Sequence, residues 1–187
     1  MLTAVLKNKS TAVKITVKGA ISVLMIVLAV ALPQIAHIAG GAATGAVYLP
    51  MYAPALIAGC ILGWQWGLGV GALSPLASFA FTSLLLDSAM PAAARLPYMV
   101  VELAVFGLVS GLFCKKIAKN ALFAFPAVIA AQVTGRLIYF VSAVIFGQSA
   151  AAVWGVIESG LTGLYIQAAI VPVIVLLLSL AVKNDRD

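Results

Sequence analysis

Charge is scarce in this sequence. Asp, Glu, Lys and Arg make up 9% of its 187 residues, where a soluble domain carries about 25%. A water-exposed surface cannot be built from so few charges, so the chain is read as one domain, residues 1–187, embedded in lipid. Strict in/out alternation over segments of about ten residues is also missing, which excludes a membrane barrel and leaves helices to satisfy the backbone. No Gly-x-x-x-x-Gly-Lys-Ser/Thr pattern occurs, so the chain lacks that route to hydrolysing ATP. Its basic residues are not interleaved with aromatics, which argues against a nucleic-acid partner. Two cysteines and one histidine make no structural zinc set, and no cofactor is expected.

Apolar residues are abundant: 64% of the chain is hydrophobic, and the mean hydropathy is +1.18. A helix needs about 20 apolar residues to cross about 30 Å of hydrocarbon. The first run is Gly19 to Ala39. The uncharged stretch Tyr48 to Leu86 is too long for one crossing and must fold back. Gly63-Trp64-Gln65-Trp66-Gly67 offers the turn, because Trp favours the interface. The spacing predicts a bundle of six transmembrane helices, an all-α membrane protein, with spans at about 19–39, 49–63, 67–86, 96–114, 122–146 and 160–182. Lys7, Lys9, Lys14 and Lys18 precede span 1. Lys115, Lys116 and Lys119 follow span 4, and Lys183 and Arg186 follow span 6. Six spans put all of these on one side, which the positive-inside rule makes cytoplasmic, with both termini inside. Cys60 and Cys114 then lie near the reducing side, where a structural disulfide is not expected. A cleaved signal peptide ending near Ala42, Ala43 and Gly45 is the rival for span 1, but its apolar run exceeds the usual length of about 7–15 residues.

Ionisable residues inside a span are costly and are functional candidates. Glu102 in span 4 and Arg136 in span 5 are the two. Counted from the span ends at 1.5 Å per residue, they lie roughly 9 and 15 Å below the outer surface. Gln167 falls in the same outer layer, and Tyr139 sits one turn from Arg136. Ser74, Ser78 and Thr82 recur every four residues on span 3, which turns one polar face inward. Together these residues suggest a small pocket open to the outside, where Arg136 meets a carboxylate, phosphate or carbonyl and Glu102 and Gln167 hold donors. The competing expectation is a Glu102–Arg136 pair that only orients helices. The segment His37 to Tyr52, with Gly40, Gly41, Gly45, Tyr48, Met51 and Tyr52, has the makings of a mobile lid. His37 itself is read as interfacial. Gly59, Gly63, Gly67 and Gly71, and then Gly107 and Gly111, repeat at four-residue spacing and suit close helix packing.

The stretch Leu49-Pro-Met-Tyr-Ala-Pro-Ala-Leu-Ile-Ala-Gly-Cys-Ile-Leu-Gly63, followed by Gly67-Leu-Gly-Val-Gly71 and Leu73-Ser-Pro-Leu-Ala-Ser78, resembles the substrate-binding S components of energy-coupling factor (ECF) vitamin importers. Glu102-Leu-Ala-Val-Phe-Gly107 with Gly111, Gly135-Arg136, and Gly160-Leu-Thr-Gly-Leu-Tyr-Ile-Gln167 running on to Pro172 are similar too, in order and spacing across the chain. The resemblance implies a subunit, not an enzyme, of a bacterial or archaeal cell membrane. It implies a vitamin or related micronutrient bound among spans 4 to 6 and the outer loops, with Glu102, Arg136, Gln167, Tyr139, Tyr48, Tyr52 and Ser78 as candidate contacts. It implies as partners a transmembrane coupling protein and two cytosolic ATPases, whose ATP hydrolysis tips the small subunit over. Such proteins often carry Ala-x-x-x-Ala on span 1 for docking. Here Gly19, Ala20 and Ser22 are the nearest small residues.

Three other classes remain, one of them a purely structural or assembly role in which the polar set is only helix glue. A self-sufficient secondary transporter or channel would use Glu102 as a proton relay, although no half-to-half repeat is evident. An intramembrane enzyme would need Ser74 or Ser110 within about 3 Å of His37, and their places along the spans keep them apart.

Overall fold

The structure is a computed structural model that describes residues 10–41, 47–85 and 90–184, the last three of these by backbone only. Lys7, Lys9, Ala42, Ala43, Gly45, Asp87 and Arg186, and the side chain of Lys183, lie outside the described residues. The described chain is helical, without strands. Its helices are α1 (Thr11–Gly40), α2 (Tyr52–Leu62), α3 (Trp64–Leu85), α4 (Leu96–Leu112), α5 (Cys114–Lys119), α6 (Ala124–Ile145), α7 (Ala150–Ser159) and α8 (Leu161–Asn184). Short 3-10 turns at Ala93–Arg95 and Ala121–Phe123 lead into α4 and α6.

Five of these helical segments are long and apolar enough to cross a membrane. The exception is the expected second span. In place of a crossing over 49–63 there is an 11-residue helix, about 16 Å long, which cannot traverse about 30 Å of hydrocarbon by itself. Ala53 is the one residue of α2 that is not buried. A helix apolar on every side belongs at the centre of a bundle, and α2 packs against α1, α3, α4, α6 and α8. The first helix starts earlier than expected, at Thr11, where the Ser10 side chain caps it by accepting from the Val13 N–H at 3.4 Å. The connection before span 6 is no plain loop but holds α7.

One glycine ends α2. Gly63 has φ of 100°, a left-handed conformation that L side chains resist, and α3 resumes at Trp64. Lys18 reaches across from α1 to donate to the Leu62 carbonyl at 3.2 Å, a favourable place for a cation at a helix C-terminus. Beyond this turn α3 and α4 run together along a glycine seam. A Cβ on Gly67 would strike the Gly107 carbonyl, one on Gly71 the Leu103 carbonyl, and one on Gly111 the Trp64 backbone. Gly59 of α2 approaches Gly107 and Ser110 in the same way. In lipid, association comes from such backbone-to-backbone packing and not from burying apolar surface. Gly63, in step with this series by spacing, serves the turn instead, since a Cβ there would meet nothing. Cys60 and Cys114 are buried, free thiols at this end of the bundle.

Candidate functional site

Past the seam the helices carry polar side chains. Ser74, Ser78 and Thr82 continue α3, and all three are buried, so the stripe faces inward as its spacing predicts. Its hydroxyls are spent within the protein. Ser74 donates to the Val70 carbonyl at 2.7 Å. Ser78 donates to the Met90 carbonyl at 2.9 Å, and Thr82 accepts from the Met90 N–H at 2.8 Å. Ser78 and Thr82 thus tie the segment that leads into α4 down onto α3.

Glu102 and Arg136 meet, as the depth estimate from span ends anticipates. Arg136 Nη1 stands 3.1 Å from Glu102 Oε1. Glu102 is fully buried and Arg136 is 8% exposed. The contact is an ion pair and not an aligned hydrogen bond, because Oε1 has no hydrogen-bond partner. The other carboxylate oxygen accepts a 2.6 Å hydrogen bond from the Tyr52 hydroxyl. The guanidinium carbon lies 5.4 Å from the Tyr52 ring centre and 5.6 Å from that of Tyr139, within cation–π range of both. Tyr52 is braced edge-on by Phe106 and Tyr139 by Tyr98, at centroid distances of 5.1 and 5.3 Å. Two arginine nitrogens, Nε and Nη2, are buried with no hydrogen-bond partner among the described residues.

Arg136 lines a cavity of about 240 Å³, slightly smaller than the roughly 300–1,000 Å³ typical of small-molecule sites. Pro33 and His37 of α1 form one side, and the chain from Leu49 to Tyr52 forms another. Ser78, the Met90–Ala92 segment, Arg95 and Met99 face them, with Arg136 and Tyr139 of α6 and Val156 of α7 completing the wall. Glu102 lies behind Arg136 and is absent from this wall. His37, read from sequence as interfacial, stands on it.

The remaining candidates lie beside the cavity. Gln167 is buried and donates through Nε2 to the Tyr48 and Leu49 carbonyls at 3.1 and 2.8 Å. It holds the chain that enters α2, and its Oε1 has no partner among the described residues. The side chain of Tyr48 is 47% exposed and joins the site through its backbone alone. Near the start of α1, Ala20 is exposed, Gly19 half-buried and Ser22 buried, so these three small residues do not share one outward surface. Met51, named from sequence as part of a lid segment, stands on the cavity wall, whereas sequence reasoning missed Met90, Met99, Arg95 and Val156. Methionine in an apolar chain gives no signal of its own, and Arg95 reads as a loop residue at the membrane edge. Among the described residues no group of three or more His, Cys, Asp and Glu gathers to hold a metal.

Compared with known proteins, the chain matches no family model, no curated protein and no solved structure.

Proposed function

We propose that this chain is the substrate-capture subunit of an ATP-driven, ECF-type importer in a bacterial or archaeal cell membrane, and that it binds a small water-soluble vitamin or related micronutrient from outside. The observation that carries the reading is Arg136. It is held in place by Glu102 and two tyrosines, it borders a cavity, and two of its donors have no partner among the described residues. A pair that served only to orient helices would be expected to use its hydrogen-bonding capacity internally, because buried unpaired donors are costly. Residue order and spacing from Leu49 to Pro172 support the importer class. The chain has a pocket and no phosphate loop, so the drive would come from a coupling protein and two ATPases.

In this reading the short α2 counts as the sixth segment. The chain around Tyr48 dips to the level of Gln167, and α2 completes the passage to the Lys18 side. Both termini then lie with the basic clusters in the cytoplasm. Mass spectrometry of small molecules released from the purified protein is the decisive measurement, with a vitamin-like compound expected in stoichiometric amount. Liposomes holding this chain alone are expected to bind that compound without accumulating it. Accumulation by the chain alone under a pH gradient would replace this reading with proton-coupled transport through Glu102.

A further inference from the structure

Arginine carries two distinct hydrogen-bonding faces. The N–H groups of Nε and Nη2 point the same way and make the side face, which suits the two oxygens of a carboxylate. In Arg136 this pair of nitrogens is the one without a partner among the described residues, while Nη1 faces Glu102. Leu49 Cδ1 and Arg136 Nη2 crowd one spot over Gly160, 2.9 and 3.1 Å from where a Cβ on that glycine would stand. Leu49 and Arg136 both line the cavity, so a turn of the Leu49 side chain would open space next to Nη2.

The charges at the site limit what can dock there. Arg136 is already paired with Glu102. Among the described residues, exposed Arg95 is the other arginine on the cavity wall, and no carboxylate stands there. One further negative charge brings Arg95, Arg136, Glu102 and the guest to neutrality. A dianion leaves an excess negative charge beside the buried Glu102, which low-dielectric surroundings penalise. The rest of the wall facing the guest is mainly carbon and thioether.

We infer that the site takes a small monocarboxylate, with its carboxylate seated on the Nε/Nη2 face of Arg136 and a compact apolar body among Met51, Met99, Tyr139 and Val156. This rests on the capture reading above and names its ligand class.

The test uses the full chain in lipid nanodiscs and matched probes: isovalerate, hexanoate, benzoate and phenylacetate, the uncharged amide of each, and phenyl phosphate. Binding is read by calorimetry and by the rise in thermal midpoint. At least one carboxylate is expected to bind, with its amide and the phosphate weaker by about tenfold or more, the size of a lost charged hydrogen bond. Arg136→Lys keeps the charge opposite Glu102 but offers no side face, and is expected to weaken the carboxylate by a similar factor. If that variant melts early without ligand, Gly160→Ala replaces it as the test, since the added methyl group crowds Nη2 and leaves the charges intact. The inference is overturned if no carboxylate in the panel binds, if an amide or phenyl phosphate binds best, or if affinity survives in the folded variants. An uncharged compound that binds, or one released from the purified protein, would overturn this ligand class and leave the capture reading standing. If nothing binds and nothing is released, both fall.

Discussion

The two ends of this bundle are built on opposite rules. At the Lys18 end α2, α3 and α4 touch backbone to backbone, and a single added methyl group on Gly67 or Gly107 has nowhere to go. At the Arg95 end the same α3 and α4 carry Ser78 and Met99 to the wall of a cavity, and a buried arginine retains unpartnered donors. The contrast is physical. Helices in lipid gain from close contact over small residues, so the glycine seam supplies rigidity without polar groups. That rigidity allows the other end to hold polar groups in a less favourable arrangement than folding alone would choose.

If the division is real, substitutions at the two ends must fail differently, and the largest effects belong to the seam. Gly107→Val is expected to prevent stable folding in detergent or to cost well above the about 1–3 kcal/mol usual for overpacking, read as loss of a cooperative thermal transition. Next is Glu102→Ala, which strands the Arg136 charge in the interior and is expected to cost about 3–5 kcal/mol of stability. The double variant Glu102→Leu/Arg136→Met is expected to recover most of that stability and no ligand binding. A double variant that still binds ligand would reduce the pair to helix glue. Tyr52→Phe removes the hydroxyl bound to Glu102 and is expected to cost about 1.5–3 kcal/mol, the range for a hydrogen bond to a charged group. Gly63→Ala tests the exception within the seam. It meets open space but forces a left-handed residue, with an expected loss of about 1–2 kcal/mol, less than Gly67→Ala four residues on. The smallest effect is expected at the tether. Thr82→Val removes the partner of the Met90 N–H for about 1 kcal/mol, and ligand should dissociate faster from it at little change in the thermal midpoint without ligand.

Much of this organisation was legible before any coordinates. Long apolar runs gave five helices of spanning length, four of them close to their expected bounds and the first beginning earlier, at Thr11, because hydrocarbon thickness sets helix length directly. The Glu102–Arg136 meeting followed from counting residues along antiparallel helices. The six-crossing count was less secure. A run of apolar residues looks the same whether lipid or protein surrounds it, so Leu49–Gly63 read as a span although its helical part is an 11-residue core element. Ser78 and Gln167 read as contacts for a ligand; the structure puts Ser78 on the cavity wall and also gives each a carbonyl within the chain. A hydroxyl or an amide tells which bonds it can make and not which neighbour will be within reach.

What the sequence determined by itself was the class of solvent, the helical answer to it, and the presence of one acid and one base that could not face lipid. Those follow from composition and the fixed rise of a helix. Which donors of Arg136 are used and which are left over was decided only by tertiary structure. So were the burial of α2 and the cavity left among α1, α3, α4, α6 and α7. They depend on how closely several helices approach at once, a property of the assembled bundle that no single segment carries.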